Sequence, residues 1–106
     1  KAVSIYLKGA NSGFPVAQNA LGMCYKNGTG VAIDLKTALY WFEQAGNQGL
    51  GPAQFNAGLC YEMGEGTAQN FRMARSWYLK AIEQEYYKAY FNLAYYYEND
   101  IGGGGM

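Results

Sequence analysis

Histidine is absent from this chain of 106 residues. Its absence removes Ser-His and Cys-His nucleophile pairs and the imidazole ligand used by most catalytic zinc sites. Carboxylates do not replace it: Glu83 and Glu85 fall on different faces of a helix, and Glu62 and Glu65 flank a turn. Neither pair makes the enclosed acid–base site that proton transfer requires. The chain is read as non-enzymatic, with no catalytic, cofactor-binding or metal-ligating residue assigned; a catalytic domain, if the whole protein has one, is expected outside this stretch. Charge is also scarce, at 15% of residues, and 8 Lys and Arg balance 8 Asp and Glu. No basic face is available for a phosphate backbone, so nucleic acid is not an expected partner. Asn, Gln, Lys or Gly interrupts every apolar run well short of the ~20 residues a membrane-spanning helix needs, so direct membrane insertion is not expected.

What is present is an apolar, aromatic and glycine-rich chain: half the residues are hydrophobic, 17% are aromatic, and there are 15 glycines. Such a composition folds. The stretch LGMCYKNGTG at Leu21 to Gly30 returns thirty-six positions later as AGLCYEMGEG, and again as a worn LAYYYENDIG from Leu93 to Gly102. Ala2, Ala38 and Ala74 keep the same spacing, as do Ala17, Ala53 and Ala89; Tyr25, Tyr61 and Tyr97; and Tyr6, Phe42 and Tyr78. A period of this length marks a solenoid, in which each unit hides its apolar face by stacking on its neighbours. Residues 1–35 make a first repeat truncated at its N-terminus, 36–71 a second and 72–102 a degenerate third; 103–106 make a flexible glycine tail. Lys1 stands where Lys36 and Arg72 stand in later copies. The chain is therefore read as an excerpt, with further repeats or domains of the same chain expected beyond it.

Each repeat reads as two helices. In the first, helix A, Ala38, Leu39, Trp41, Phe42 and Ala45 follow the helical period. Asp34 and Asn70 stand where N-caps belong. Gly13 and Gly49 close helix A, and Pro15 and Pro52 open helix B, where a missing N–H costs little. Gly28, Gly30, Gly64 and Gly66 are expected to take positive φ in the return turn; no strand or Lys-Ser/Thr accompanies them as a phosphate loop would require. Gly22 and Gly58 lie inside helix B, where glycine costs about 1 kcal/mol against alanine. Close approach to small residues of the paired helix A, at Gly9, Ala45 and Ala81, is the expected reason. Trp41 and Trp77, equivalent to Ile5, are expected to face the core. Cys24 and Cys60 are equivalent positions on stacked helices, roughly 8 to 10 Å apart. A disulfide needs Cα atoms within ~7 Å. Unpaired cysteines favour a reducing, cytoplasmic compartment, while a secretory one stays open.

The pattern A-x-x-x-[WYF] … G … A-x-x-x-L-G-x-x-Y-x-x-G-x-G … D resembles the Sel-one-like repeat, a relative of the tetratricopeptide repeat. The second copy carries it at Ala38, Trp41, Phe42, Ala45, Gly49, Ala53, Gln54, Gly58, Tyr61, Gly64 and Gly66. The resemblance implies an all-α fold, an α/α superhelix of antiparallel helix pairs in 36-residue repeats, and an adaptor that gathers partner proteins. A cysteine-rich secreted branch pairs two cysteines within each repeat, and one cysteine per copy does not fit it. In the third copy Glu85, Ala94 and Asp100 with Ile101 replace glycines. Longer, less regular helices are expected there.

The positions of helix A left outside the apolar set form a stripe of their own: Ser4, Lys8 and Ser12; Tyr40, Gln44 and Gln48; Ser76, Lys80 and Gln84. Spacing of four keeps each trio on one face. In tetratricopeptide-like solenoids helix A lines the concave groove, so these nine residues are the candidate contacts for a partner protein or peptide. The aromatic run Tyr86, Tyr87, Tyr90, Phe91, Tyr95, Tyr96 and Tyr97 is the second candidate, packing against a partner or a following repeat. The module is thus read as a non-catalytic adaptor or scaffold; alternatives are a permanent spacer within a large assembly and a regulatory region of a larger enzyme. Asn27-Gly28-Thr29 also matches the glycosylation pattern, on what is expected to be an exposed turn.

Overall fold

Asp34 and Asn70 start the second and third helix pairs as expected. Asp34 Oδ1 accepts from the Thr37 N–H at 3.2 Å and Oδ2 from the Thr37 hydroxyl at 2.8 Å, while Asn70 Oδ1 accepts from the Met73 N–H at 3.0 Å. The Thr37 hydroxyl bond, with the backbone bond behind it, holds the Asp34 carboxyl below its ordinary value. The computed structural model describes residues 1–101; Gly102 and the expected flexible tail at 103–106 lie outside the described residues. Six helices follow in order: α1 Ala2–Asn11, α2 Pro15–Asn27, α3 Leu35–Asn47, α4 Gly51–Met63, α5 Phe71–Glu83 and α6 Lys88–Glu98. The odd helices are A and the even ones B, and among the described residues there is no strand. None of the helices is long and apolar enough to cross a membrane.

The stack is elongated, 46 × 25 × 17 Å, as expected of units that touch only their neighbours. Its core comes in two successive clusters. The first holds Ala38, Leu39, Phe42, Ala57, Cys60 and Trp77; the second holds Ala74, Tyr78, Ala81, Ala89, Leu93 and Tyr96. Both cysteines are free and buried, and burial raises the Cys60 thiol to about 11. Burial at the tryptophan position grows along the chain: Ile5 is 71% exposed, Trp41 is half-buried and Trp77 is 5% exposed. The Trp77 ring lies over Gly46 of the preceding helix A, whereas among the described residues no helix precedes α1 to cover Ile5.

The reason for glycine inside helix B differs from the expected one. A Cβ at Gly22 would stand 2.6 Å from the Phe42 ring, and one at Gly58 would stand 2.5 Å from the Tyr78 ring. Each glycine is thus a notch for an aromatic ring of the next repeat's helix A, and small residues of its own pair are not what it faces. The small-on-small contact within a pair involves a different position, Gly9 against Ala17, where an added Cβ would come within 2.7 Å.

The third repeat also departs from expectation. Helix α5 has 13 residues, as α3 does, and α6 has 11 against the 13 of α2 and α4, so neither is longer. Glu85 takes φ 60 where Gly13 and Gly49 take 88 and 93, and Asp100 takes φ 53 where Gly28 and Gly64 take 74 and 70. The turn keeps its shape because its bonds remain: the Tyr86 N–H donates to Ala81 O at 3.0 Å and the Ile101 N–H to Tyr96 O at 2.8 Å. Ala81 is fully buried, and Tyr86 packs on Phe55 with centroids 5.5 Å apart. These contacts outweigh the roughly 1–2 kcal/mol cost of holding a non-glycine residue left-handed.

Two stability changes are expected in urea titrations. Glu85→Gly relieves the left-handed strain, less the entropy glycine loses on folding, and raises stability by up to about 1 kcal/mol. Gly58→Ala fills the notch and lowers stability by about 1–3 kcal/mol. A neutral result for Gly58→Ala would show that the Tyr78 ring has room to retreat.

Candidate functional site

Eight of the nine stripe residues are exposed: Ser4, Lys8, Ser12, Tyr40, Gln48, Ser76, Lys80 and Gln84; Gln44 is half-buried. Their helix supplies the order. Tyr40 keeps 53% of its surface exposed while its ring stands edge-on to Trp41, with centroids 5.0 Å apart at 78°. Lys80 lays its Nζ over the Trp77 ring, 4.4 Å from the centroid, which holds a cation on the exposed stripe.

Gln48 is already engaged. Its Nε2 donates to Gly13 O at 3.0 Å and to Gln18 Oε1 at 2.9 Å, and Gln18 Nε2 in turn donates to Ala10 O at 3.2 Å. Gln54 repeats the last contact on Gly46 O at 2.9 Å. The sequence reading missed this glutamine ladder, although Gln18 and Gln54 recur thirty-six apart among alanines. The ladder stops in the third copy: Tyr90 replaces the buried glutamine there, and Gln54 Oε1, the equivalent of the Gln18 oxygen that Gln48 reaches, is left buried without a partner.

The aromatic cluster divides in two. Tyr87, Tyr90, Phe91 and Tyr95 are exposed at 65, 47, 84 and 58%, and Tyr87 and Tyr90 stack at 5.8 Å. Tyr97 is also exposed, under the Arg75 guanidinium at 4.5 Å. Tyr96 is 3% exposed and Tyr86 half-buried, so neither belongs to the surface set: α6 turns Tyr96 inward onto Tyr78, and the turn before α6 sets Tyr86 against Phe55.

Behind Tyr96 lies a polar node that no spacing in the sequence announced. Glu62 Oε1 accepts from the Tyr78 hydroxyl at 2.8 Å and from the Tyr96 hydroxyl at 2.9 Å, and Asn92 Nδ2 donates to Tyr78 at 3.3 Å. Tyr61 makes a similar bond to Glu43 Oε2 at 2.6 Å. Burial first, and the adjoining carboxylate second, push Tyr78 and Tyr96 well above the ordinary phenol value and Tyr61 up to about 12. At the other end of the molecule α1 and α2 leave an open cleft of ≈ 290 Å³ lined by Ala2, Tyr6, Ala20, Met23, Cys24, Asn27 and Thr29. Among the described residues no three His, Cys, Asp or Glu side chains cluster as metal ligands would.

The sequence pattern described as Sel1 repeat matches residues 15–50, 51–86 and 88–104. It frames the first two units as a helix B followed by the next helix A, and the third match begins with α6. No curated protein matches the chain. Among solved structures, a Sel1 repeat protein from Oxalobacter formigenes is 42% identical, with a TM-score of 0.82 over 83% of this chain and 36% of its own. The protein c5321, a protective antigen present in uropathogenic Escherichia coli strains displaying an SLR fold, is 38% identical with a TM-score of 0.92, over 94% of this chain and 21% of its own. Cysteine-rich protein B of Helicobacter pylori, 22% identical with a TM-score of 0.79 over 82% of this chain and 65% of its own, shares the fold. The chain spans about a third or less of the length of the first two.

The tyrosine bonds carry a pH signature. A phenol whose folded value is raised contributes stability that is present below the unfolded value of about 10 and is lost as pH rises toward the folded value. Thermal melts are expected to hold steady to about pH 10 and to fall toward about pH 12 as phenolates form beside Glu43 and Glu62. Ultraviolet titration should show Tyr61, Tyr78 and Tyr96 ionising only above the ordinary phenol value. Ionisation of all eleven in one step near the ordinary value would refute these bonds.

Proposed function

The chain belongs to the Sel1 repeat family, whose members are generally non-catalytic protein-interaction modules, and from that premise we propose that it holds a partner protein or peptide along its helix A stripe. The observation that carries this reading is a contrast between two sets of positions. Facing the core, Ala38 and Ala74, Phe42 and Tyr78, and Ala45 and Ala81 repeat almost unchanged, and all are buried. On the stripe the second copy departs from the other two, with Tyr40 where Ser4 and Ser76 stand and Gln44 where Lys8 and Lys80 stand, and all but Gln44 are exposed. Positions that vary while their neighbours hold constant are free to suit a particular partner.

Tyr40 is the centre of the stripe. A tyrosine already ordered against Trp41 gives up little side-chain freedom on binding, which favours it as a hot spot. Lys8 and Lys80 bracket it, so the partner suited to this face presents an apolar or aromatic group to Tyr40 and acidic groups on either side. Gln48 contributes through the ladder that ties α3 to the turn at Gly13, as a positioning residue for the stripe. Within the whole protein such a surface makes this segment an adaptor.

The test starts from a peptide selected on the immobilised chain from a random displayed library. Titration calorimetry of that peptide is expected to show a loss of about thirtyfold or more in affinity for the Tyr40→Ala, Lys80→Ala double variant, the range of a hot-spot truncation. Unchanged affinity would place the binding surface elsewhere.

A further inference from the structure

The glutamine ladder leaves one rung open at its second step. In the first step Gln48 Nε2 donates to Gln18 Oε1 at 2.9 Å and to Gly13 O at 3.0 Å, and Gln18 itself is buried. Every member of that step recurs thirty-six residues on, as Gln84, Gln54 and Gly49. Gln54 repeats the buried half: it is 4% exposed, and its Nε2 donates to Gly46 O at 2.9 Å. Gln84 does not repeat the other half. Its backbone matches that of Gln48, with φ −91 and ψ 10 against −91 and 3. Its side chain nevertheless stays exposed, and Gln54 Oε1 is buried with no hydrogen-bond partner among the described residues. The Gln84 stem is crowded against the start of α4, where Gly51 stands in place of Pro15: a Cβ on Gly51 would come within 3.2 Å of the Gln84 Cβ. A buried acceptor without a donor is costly, so a donor brought from outside gains more there than at a hydrated surface.

We propose that Gln54 Oε1 and Gly49 O form a seat for the side-chain amide of an asparagine or glutamine on the partner peptide, one turn of α5 from Lys80. The inference rests on the helix A stripe being the binding face. The first step of the ladder shows what such a seat takes: an NH2 group whose two hydrogens satisfy a side-chain oxygen and a glycine carbonyl together. Gln54 lies too deep for a partner's main chain, and a side chain reaching in follows the route that Gln48 takes to Gln18. An ammonium would have to shed its hydration at that depth, which a neutral amide does at far lower cost. Lys80 and Gln84 stand one helical turn apart on one face, with Cβ atoms roughly 5–6 Å apart. Alternate side chains of an extended chain are about 6.6 Å apart. An extended partner along α5 therefore presents an acidic residue to Lys80 and its amide residue two positions away. Neither the seat nor its exposure depends on where the stack ends. Gln54, Gly49 and Gln84 belong to α3, α4, α5 and their turns, and Gln48, the equivalent of Gln84 on a helix with pairs on both sides, is exposed as well.

The probe is a peptide selected on the immobilised chain from a random displayed library and then synthesised. Its sequence is expected to carry an asparagine or glutamine two positions from an aspartate or glutamate. In titration calorimetry, replacing that amide residue with methionine should lower affinity about tenfold, the scale of one hydrogen bond to a buried acceptor. The same exchange should cost nothing on Gln54→Met, where the acceptor is gone. Tyr90 holds the equivalent position in the third repeat, so helix B forms without glutamine there, and circular dichroism should show Gln54→Met folded. Gln84→Ala clears the route and should bind the peptide at least as tightly as the parent chain. Without peptide, Gln48→Ala should lower the melting midpoint by about 5 °C and Gln84→Ala should leave it within about 1 °C. Equal losses overturn the proposal, because Gln84 then fills the acceptor itself. A selected peptide without an amide residue overturns it, and so does a methionine exchange that costs nothing on the parent chain, whether or not Gln54→Met folds. An exchange that costs as much on Gln54→Met as on the parent chain also overturns it. The Tyr40→Ala, Lys80→Ala variant separates the two readings: a peptide that loses affinity there but tolerates the exchange keeps the stripe and sinks the seat, and one indifferent to both changes sinks the two together.

Discussion

An aromatic ring seated in a glycine notch sets the spacing of this molecule. Phe42 fills the gap left by Gly22, and Tyr78 fills the one left by Gly58, each ring approaching to where a Cβ could not stand. Glycine inside a helix costs about 1 kcal/mol in propensity, and burying a large aromatic ring returns more than that. Both rings are fully buried, and the two core clusters form around them. Because the notch lies on one repeat and the ring on the next, the contact joins units instead of closing one. Neither repeat would hide its apolar face alone, which is the general condition of a solenoid.

The third repeat shows how far the sequence can drift before the backbone follows. Two turn glycines are replaced by Glu85 and Asp100, and both residues adopt the left-handed conformation. The turn is held from outside by the carbonyls of Ala81 and Tyr96 and by the packing of Tyr86 and Ile101 on the second core cluster. Local preference is a matter of one or two kcal/mol, and a turn whose flanking residues are buried can override it. Tyrosine hydroxyls add a polar brace here: Tyr78 and Tyr96 converge on Glu62, linking α4, α5 and α6 at one carboxylate.

Much of the candidate surface was legible in the chain itself. The stripe of helix A follows from a spacing of four residues, and spacing alone puts Ser4, Tyr40, Ser76 and Lys80 outside. Gln48 shows where that reasoning stops, because its partners Gly13 and Gln18 lie on other elements, 35 and 30 residues away. Tyr96 shows the same limit: it sits amid exposed aromatics in sequence, yet the crossing of α6 over α5 turns it inward onto Tyr78. Burial at equivalent positions depends on the helix that precedes each one: Trp77 lies over Gly46 of the helix A before it, whereas among the described residues no helix precedes α1 to cover Ile5.

The sequence by itself determined the thirty-six-residue period, the helix pairs, the capping residues Asp34 and Asn70, and the turns. Each of these depends on chemistry within a few residues: side-chain oxygens reaching the first turn of a helix, apolar groups recurring at the helical period, glycine tolerating positive φ. Only the tertiary structure decided which ring enters which glycine notch, that Gln18 and Gln48 bond to each other, and that Glu62 gathers two tyrosines. Those outcomes depend on the angle and distance at which separate helices cross, which are set by the packing of all the side chains between them and are not written at any one position.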